Sequence, residues 1–130
     1  VSGWQEKYFL YSKSNYYPSL RSIKIKMQFA SLGSGSAGNS FIVKQNKSLL
    51  MIDCGFAIQD IVSRLDRLNE SPESITGILL THEHEDHVKG AFKLANKFKI
   101  PMTNIKTKVL SFGICALTLF CILCFVILIY

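Results

Sequence analysis

Apolar and polar residues change period several times along the middle of this chain. Phe29, Ala30 and Leu32 mark a short strand over residues 28–32, and Ser40-Phe41-Ile42-Val43 a second. Between them, Gly33-Ser34-Gly35-Ser36-Ala37-Gly38-Asn39 is a loop with three glycines. After an Asn46-Lys47 turn, Ser48-Leu49-Leu50-Met51-Ile52 is nearly all apolar, which predicts a third strand buried on both faces. It ends at Asp53-Cys54-Gly55. The period then lengthens. Ile58, Ile61, Val62, Leu65 and Leu68 predict one apolar face of a helix over residues 57–69, with Asp60, Arg64 and Arg67 outside it. Ser71-Pro72-Glu73 breaks that pattern, and residues 75–81 predict a fourth strand. Val88, Ala91, Phe92, Ala95 and Phe98 predict a second helix, and Lys99-Ile100-Pro101-Met102 opens a further strand. Strands alternating with helices indicate a layered α/β arrangement. No repeat of fixed period is present.

The two ends have a different texture. Residues 1–26 hold Tyr8, Phe9, Tyr11, Tyr16 and Tyr17 without helical period. The chain opens on Val1, and Met27 falls where the ordered pattern begins. A poorly ordered extension, or upstream sequence read through in frame, is the expectation here. Residues 109–130 carry no charged side chain. A helix of that length crosses a hydrocarbon core of roughly 30 Å, and Lys106 and Lys108 before it would hold its N-terminal side in the cytoplasm. The competing reading is an arbitrary apolar tail after a frameshift or truncation near Asn104. The expected division is therefore an extension over 1–26, a partial domain over 27–104 and an apolar tail over 105–130.

Composition changes the picture once it is divided this way. The formal net charge is +6. Residues 27–104 balance to zero, with the surplus at the two ends. Bulk charge thus gives no support for a nucleic-acid groove in the middle segment. The four cysteines follow no disulfide framework. Cys121-x-x-Cys124 reads either as a redox or zinc pair or as two small residues in an apolar run. No secretory signal opens the chain, and a reduced cytoplasmic compartment fits the middle segment.

The chemistry is concentrated in Thr81-His82-Glu83-His84-Glu85-Asp86-His87. All three histidines of the chain are here. Neutral imidazoles and a carboxylate are the ligands of catalytic zinc. On an extended loop, His82 and His84 leave the same side of the backbone and can share one metal. Asp86 and His87 come as the chain turns into a helix, which suits a second metal nearby. Asp53 is either a support for this loop or a turn former ahead of Gly55. The glycine loop lacks the Gly-Lys-Ser/Thr of a Walker phosphate cradle. It serves two strands turning tightly beside the site, with Ser34, Ser36 and Asn39 as candidate substrate-facing residues.

His-x-His-x-Asp-His after an apolar strand and Thr81 resembles the metal motif of the metallo-β-lactamase superfamily. Residues 27–39, 50–55 and 80–90 sharpen the likeness to its WalJ/YycJ-like (VicX) branch, over about residues 27–103 in all. The resemblance implies an αββα sandwich, of which this chain holds the N-terminal half. It also implies two divalent ions, Zn²⁺ or Mn²⁺, and hydrolysis. DNA is the implied partner, through a DNA exonuclease activity, and the implied address is cytoplasmic. His82 and His84 would bind the first metal, Asp86 and His87 the second. Asp86 would also manage the proton of the attacking water, and Asp53 would support the loop. A complete family site needs a further histidine for the first metal, a bridging carboxylate and a late histidine. No histidine follows His87, so an inactive product is expected from the chain as written. The alternatives are a small ester or thioester hydrolase similar to glyoxalase II, and a truncated remnant with a membrane-seeking tail. No protein partner is indicated.

Overall fold

The computed structural model describes residues 3–11 and 23–104. Among these, one six-stranded sheet runs in sequence order from β1 (Gln5–Tyr11) through β2 (Ile23–Gly33), β3 (Ser40–Gln45), β4 (Ser48–Ile52) and β5 (Gly77–Leu80) to β6 (Met102–Asn104). The first four strands are antiparallel neighbours, and β4, β5 and β6 are parallel. Parallel pairing requires crossovers. The first contains α1 (Ile58–Asp66) and a single 3₁₀ turn at Pro72–Ser74; the second contains α2 (Glu85–Val88) and α3 (Ala91–Phe98). This is the mixed α/β order expected from the alternation of periods.

The pleat sorts the apolar residues into two clusters. Leu49 and Met51 of β4, Ile78 and Leu80 of β5 and Ala30 and Leu32 of β2 join Ile61, Leu65, Leu94 and Ala95 of the helices. Leu50, Ile52, Leu79, Val43 and Met27 form the second cluster on the opposite face, with Phe29 and Phe41 packed against it. Successive residues of a strand point to opposite faces, so an all-apolar strand such as β4 feeds both.

The described residues depart from the expected pattern in two places. Within residues 1–26, expected as a poorly ordered extension or read-through sequence, Gln5–Tyr11 forms a strand. Gln5–Tyr11 pairs antiparallel with β2, from Gln5 opposite Phe29 to Tyr11 opposite Ile23. Trp4 donates its indole N–H to the Leu68 carbonyl at 3.1 Å, behind α1. Glu6 meets Lys26 at 2.7 Å across the strand pair, and the Lys26 hydrogen bond holds the Glu6 carboxyl below its usual range. The second helix is in fact two, interrupted at Lys89-Gly90. Counting offsets from Val88 across that break misplaces the face: Leu94 is buried and Phe92 is 59% exposed. Arg64, outside the apolar face of α1, lies 3.9 Å from the Phe56 ring centroid and donates to the Leu32 carbonyl. The apolar run over 109–130 lies outside the described residues. Among the described residues, no helix is long and apolar enough to cross a membrane.

Candidate metal centre

The site lies where the parallel strands β4 and β5 end, the edge at which open α/β sheets place their ligands. β4 delivers Asp53 and β5 delivers Thr81 side by side. Asp53 is 3% exposed and has φ 58, a left-handed conformation that a non-glycine residue adopts only under local constraint. The constraints are visible. Its N–H donates to the Leu79 carbonyl at 2.9 Å, and its own carbonyl accepts from Ser40 Oγ at 2.9 Å. Its Oδ1 accepts the Thr81 N–H at 2.8 Å, and its Oδ2 accepts Thr81 Oγ1 at 2.6 Å and His87 Nδ1 at 2.7 Å.

These bonds assign protons. A carboxylate only accepts, so His87 donates from Nδ1, and Nε2 is the ring nitrogen left to face a ligand. The Thr81 hydroxyl has a single hydrogen, given to Asp53. Its contact of 2.8 Å with His82 Nδ1 therefore has the imidazole donating, and His82 likewise keeps Nε2 for a ligand. One buried carboxylate thus sets the tautomers of two histidines, one directly and one through Thr81, as the supporting partner of a metal-binding histidine does. The turn-forming role of Asp53 and its supporting role coincide.

The rings converge. His82 and His87 have centroids 3.7 Å apart, and His82 and His84 4.8 Å apart. Ligand atoms of Asp53, His82 and His87 all lie within 4.8 Å of one another. Asp86 Oδ2 stands 3.5 Å from His87 Nε2. His87 is buried and His84 exposed, with Asp86 half-buried between them. Imidazole Nε2 atoms beside a carboxylate are the donor types that suit a divalent cation of the zinc or manganese class. Asp53 belongs to the same group of potential ligands, and its carboxylate already accepts from Thr81 and His87.

Three loops are stitched together around this cluster. The Asn39 N–H donates to the Asp86 carbonyl at 2.7 Å, the Gly55 N–H to the Asn39 carbonyl at 2.9 Å, and the Cys54 N–H to the His87 carbonyl at 2.7 Å. The approach is so close that a Cβ on Gly55 would lie 1.7 Å from the Asp86 carbonyl oxygen, and one on Gly90 2.0 Å from that of Phe56. Cys54 beneath the site is no nucleophile: burial, with a smaller push from Asp53, raises its thiol to about 12. The contacts of two residues were not legible in the sequence. Thr81 was only a flank of the motif, and nothing in its own position signals the relay. Asn39 turns toward Asp86 and His87, while Ser34 and Ser36 are exposed on the loop.

The family model of the metallo-β-lactamase superfamily matches residues 33–110, well over half of the chain. This chain belongs to the metallo-β-lactamase superfamily. It is 40% identical over 85 residues to exodeoxyribonuclease WalJ of Streptococcus pneumoniae serotype 2, covering 65% of this chain and 32% of that protein. It is 35% identical over 82 residues to exodeoxyribonuclease YycJ of Bacillus anthracis, covering 62% of this chain and 31% of that one. The chain thus spans about a third of the length of the curated relatives it matches. Among solved structures, the metallo-β-lactamase fold protein YhfI of Bacillus subtilis superposes with a TM-score of 0.50 at 19% identity, over 64% of this chain and 38% of that one. Residues 82–87 lie within the matched segment, at the end of β5.

Proposed function

We propose that the protein carrying this segment is a metal-dependent hydrolase of nucleic-acid phosphodiesters with exonuclease-like action. The observation that carries this reading is the cluster of His82, His84, Asp86 and His87, fixed by Asp53 in a chain 40% identical to an exodeoxyribonuclease over 85 residues. In this reading His82 and His84 hold a first cation, and Asp86 and His87 a second, each Zn²⁺ or Mn²⁺. When bound, such cations supply Lewis acidity at the scissile phosphate and promote attack by water. The chain's own residues do the rest. Asp53 keeps the Nδ1 protons in place, so that Nε2 of His82 and His87 stays a donor. Asp86 Oδ2 is held by Asn39 at 2.9 Å, and the Asp86 carboxylate would accept the proton of the attacking water. DNA as substrate partner and a cytoplasmic address belong to the same reading.

The zero net charge of residues 27–104 favours a second reading, a hydrolase of small esters or thioesters. End-labelled DNA and a thioester panel, each with added Zn²⁺ or Mn²⁺, separate the two. Release of nucleotides from DNA ends supports the nuclease; cleavage of thioesters alone rules it out.

A further inference from the structure

The Asn39 side chain is over-supplied with acceptors. Its Nδ2 lies 2.9 Å from Asp86 Oδ2, 3.1 Å from the Gly35 carbonyl and 3.2 Å from His87 Nε2. An amide nitrogen has two hydrogens for these three acceptors. The amide cannot be reversed to relieve this, because the Gly35 N–H donates to Oδ1 at 3.0 Å and fixes which end is oxygen. In the neutral imidazole that donates from Nδ1 to Asp53, Nε2 has no proton to offer and is a third acceptor. The mismatch ends when a cation takes the His87 Nε2 lone pair. Asn39 is then left with two hydrogens for two acceptors, the Gly35 carbonyl and Asp86 Oδ2.

We propose that Asn39 is a positioning residue for the Asp86–His87 half of the metal centre. It fastens Asp86 Oδ2 to the glycine loop at 2.9 Å and so holds that oxygen 3.5 Å from His87 Nε2. This gives the glycine loop a task apart from turning the chain: Gly35 clasps Asn39 from both its N–H and its carbonyl, at 3.0 and 3.1 Å. The backbone N–H of Asn39 holds the Asp86 carbonyl at 2.7 Å as well, so the same residue grips Asp86 at main chain and side chain. The inference rests on the metal reading of the His82–His87 cluster and assigns within it a residue outside the histidine motif.

The test uses Zn²⁺ with the full 130-residue chain. Asn39→Ala is expected to weaken Zn²⁺ binding about 10- to 100-fold, the usual effect of removing a residue that orients a ligand. Ser36→Ala, on the exposed part of the same loop, is expected to leave the affinity unchanged. Because Asn39→Ala also loosens the loop, the wild-type chain supplies a second measurement. In amide-resolved NMR, the Asn39 Nδ2 resonances are expected to shift on Zn²⁺ addition together with the His87 ring, while those of Asn46 and Asn69 stay put. An unmoved Asn39 amide beside shifting histidines overturns the Asn39 proposal and leaves the metal reading standing. Histidine resonances that do not respond to Zn²⁺ overturn the metal reading itself, and the proposal with it.

Discussion

Asp53 concentrates more of the site's order than any of the motif histidines. It occupies a left-handed backbone position at φ 58 and accepts three hydrogen bonds through its carboxylate. Replacing it with alanine strands the Thr81 N–H and the His87 Nδ1–H near the core. Each buried donor left unmade costs about 1–3 kcal/mol. Asp53→Ala is therefore expected to lower unfolding stability by roughly 2–5 kcal/mol and Zn²⁺ affinity by about 10- to 100-fold. Urea denaturation and metal titration check the two effects separately, and unchanged affinity would show that the tautomers are set elsewhere. Cys54 gives a pH prediction. Its folded thiol is raised to about 12 against an ordinary value of 9.0. The unfolded chain ionises first, so stability is intact below pH 9 and falls as the pH rises from there toward 12. Alkylation of Cys54 in the native protein at pH 8, followed by peptide mass mapping, is expected to be slow and to become rapid in denaturant. The histidines and Asp86 were legible at this scale because the chemistry lies in four residues close together. Asn39 was legible only as a candidate substrate-facing residue of the glycine loop, because its contacts lie in a loop 47 and 48 positions away.

The elements between Met27 and Asn104 were largely readable, since each buries a periodic apolar face. β4 matches its expected residues from Ser48 to Ile52, and α1 falls within the expected 57–69. Two features were hidden for physical reasons. β1 has no strong pattern of its own; it is a strand because β2 offers an edge, Lys26 meets Glu6 and Trp4 docks behind α1. The Lys89-Gly90 break shifts the phase of the helical count by restarting the helix at Ala91. Gly90 sits there because the Phe56 carbonyl leaves no space for a Cβ. Two outcomes are expected at this scale. Gly55→Ala should prevent the 33–39 loop from closing on the metal loop, with loss of both cooperative unfolding and Zn²⁺ binding; a normal melting curve would contradict the packing. Deletion of residues 1–11 should reduce stability by more than removal of the exposed Glu6–Lys26 pair alone. Equal thermal melts for the intact and shortened chains would return that segment to a passive extension.

Across the described residues, one sheet gathers a core on each face, and the parallel end of that sheet opens at the His82–His87 cluster. The layering and the motif were both present in the sequence, the first as alternating period and the second as a cluster too dense for chance. What the sequence could not give was the wiring: Asp53 to His87 directly, Asp53 to His82 through Thr81, and the glycine loop to Asp86 through Asn39. A ligand that binds only the folded state adds stability by mass action, about 2.7 kcal/mol at a hundredfold excess over its dissociation constant. The most direct measurement is thus thermal unfolding of the chain with Zn²⁺ and with a chelator, in parallel for wild type and His87→Ala. Wild type is expected to melt higher with Zn²⁺, to return to its metal-free value with chelator, and to lose the Zn²⁺ increment with His87→Ala. A wild-type melt indifferent to Zn²⁺, or an increment that survives the loss of His87, would contradict a metal centre built on these residues.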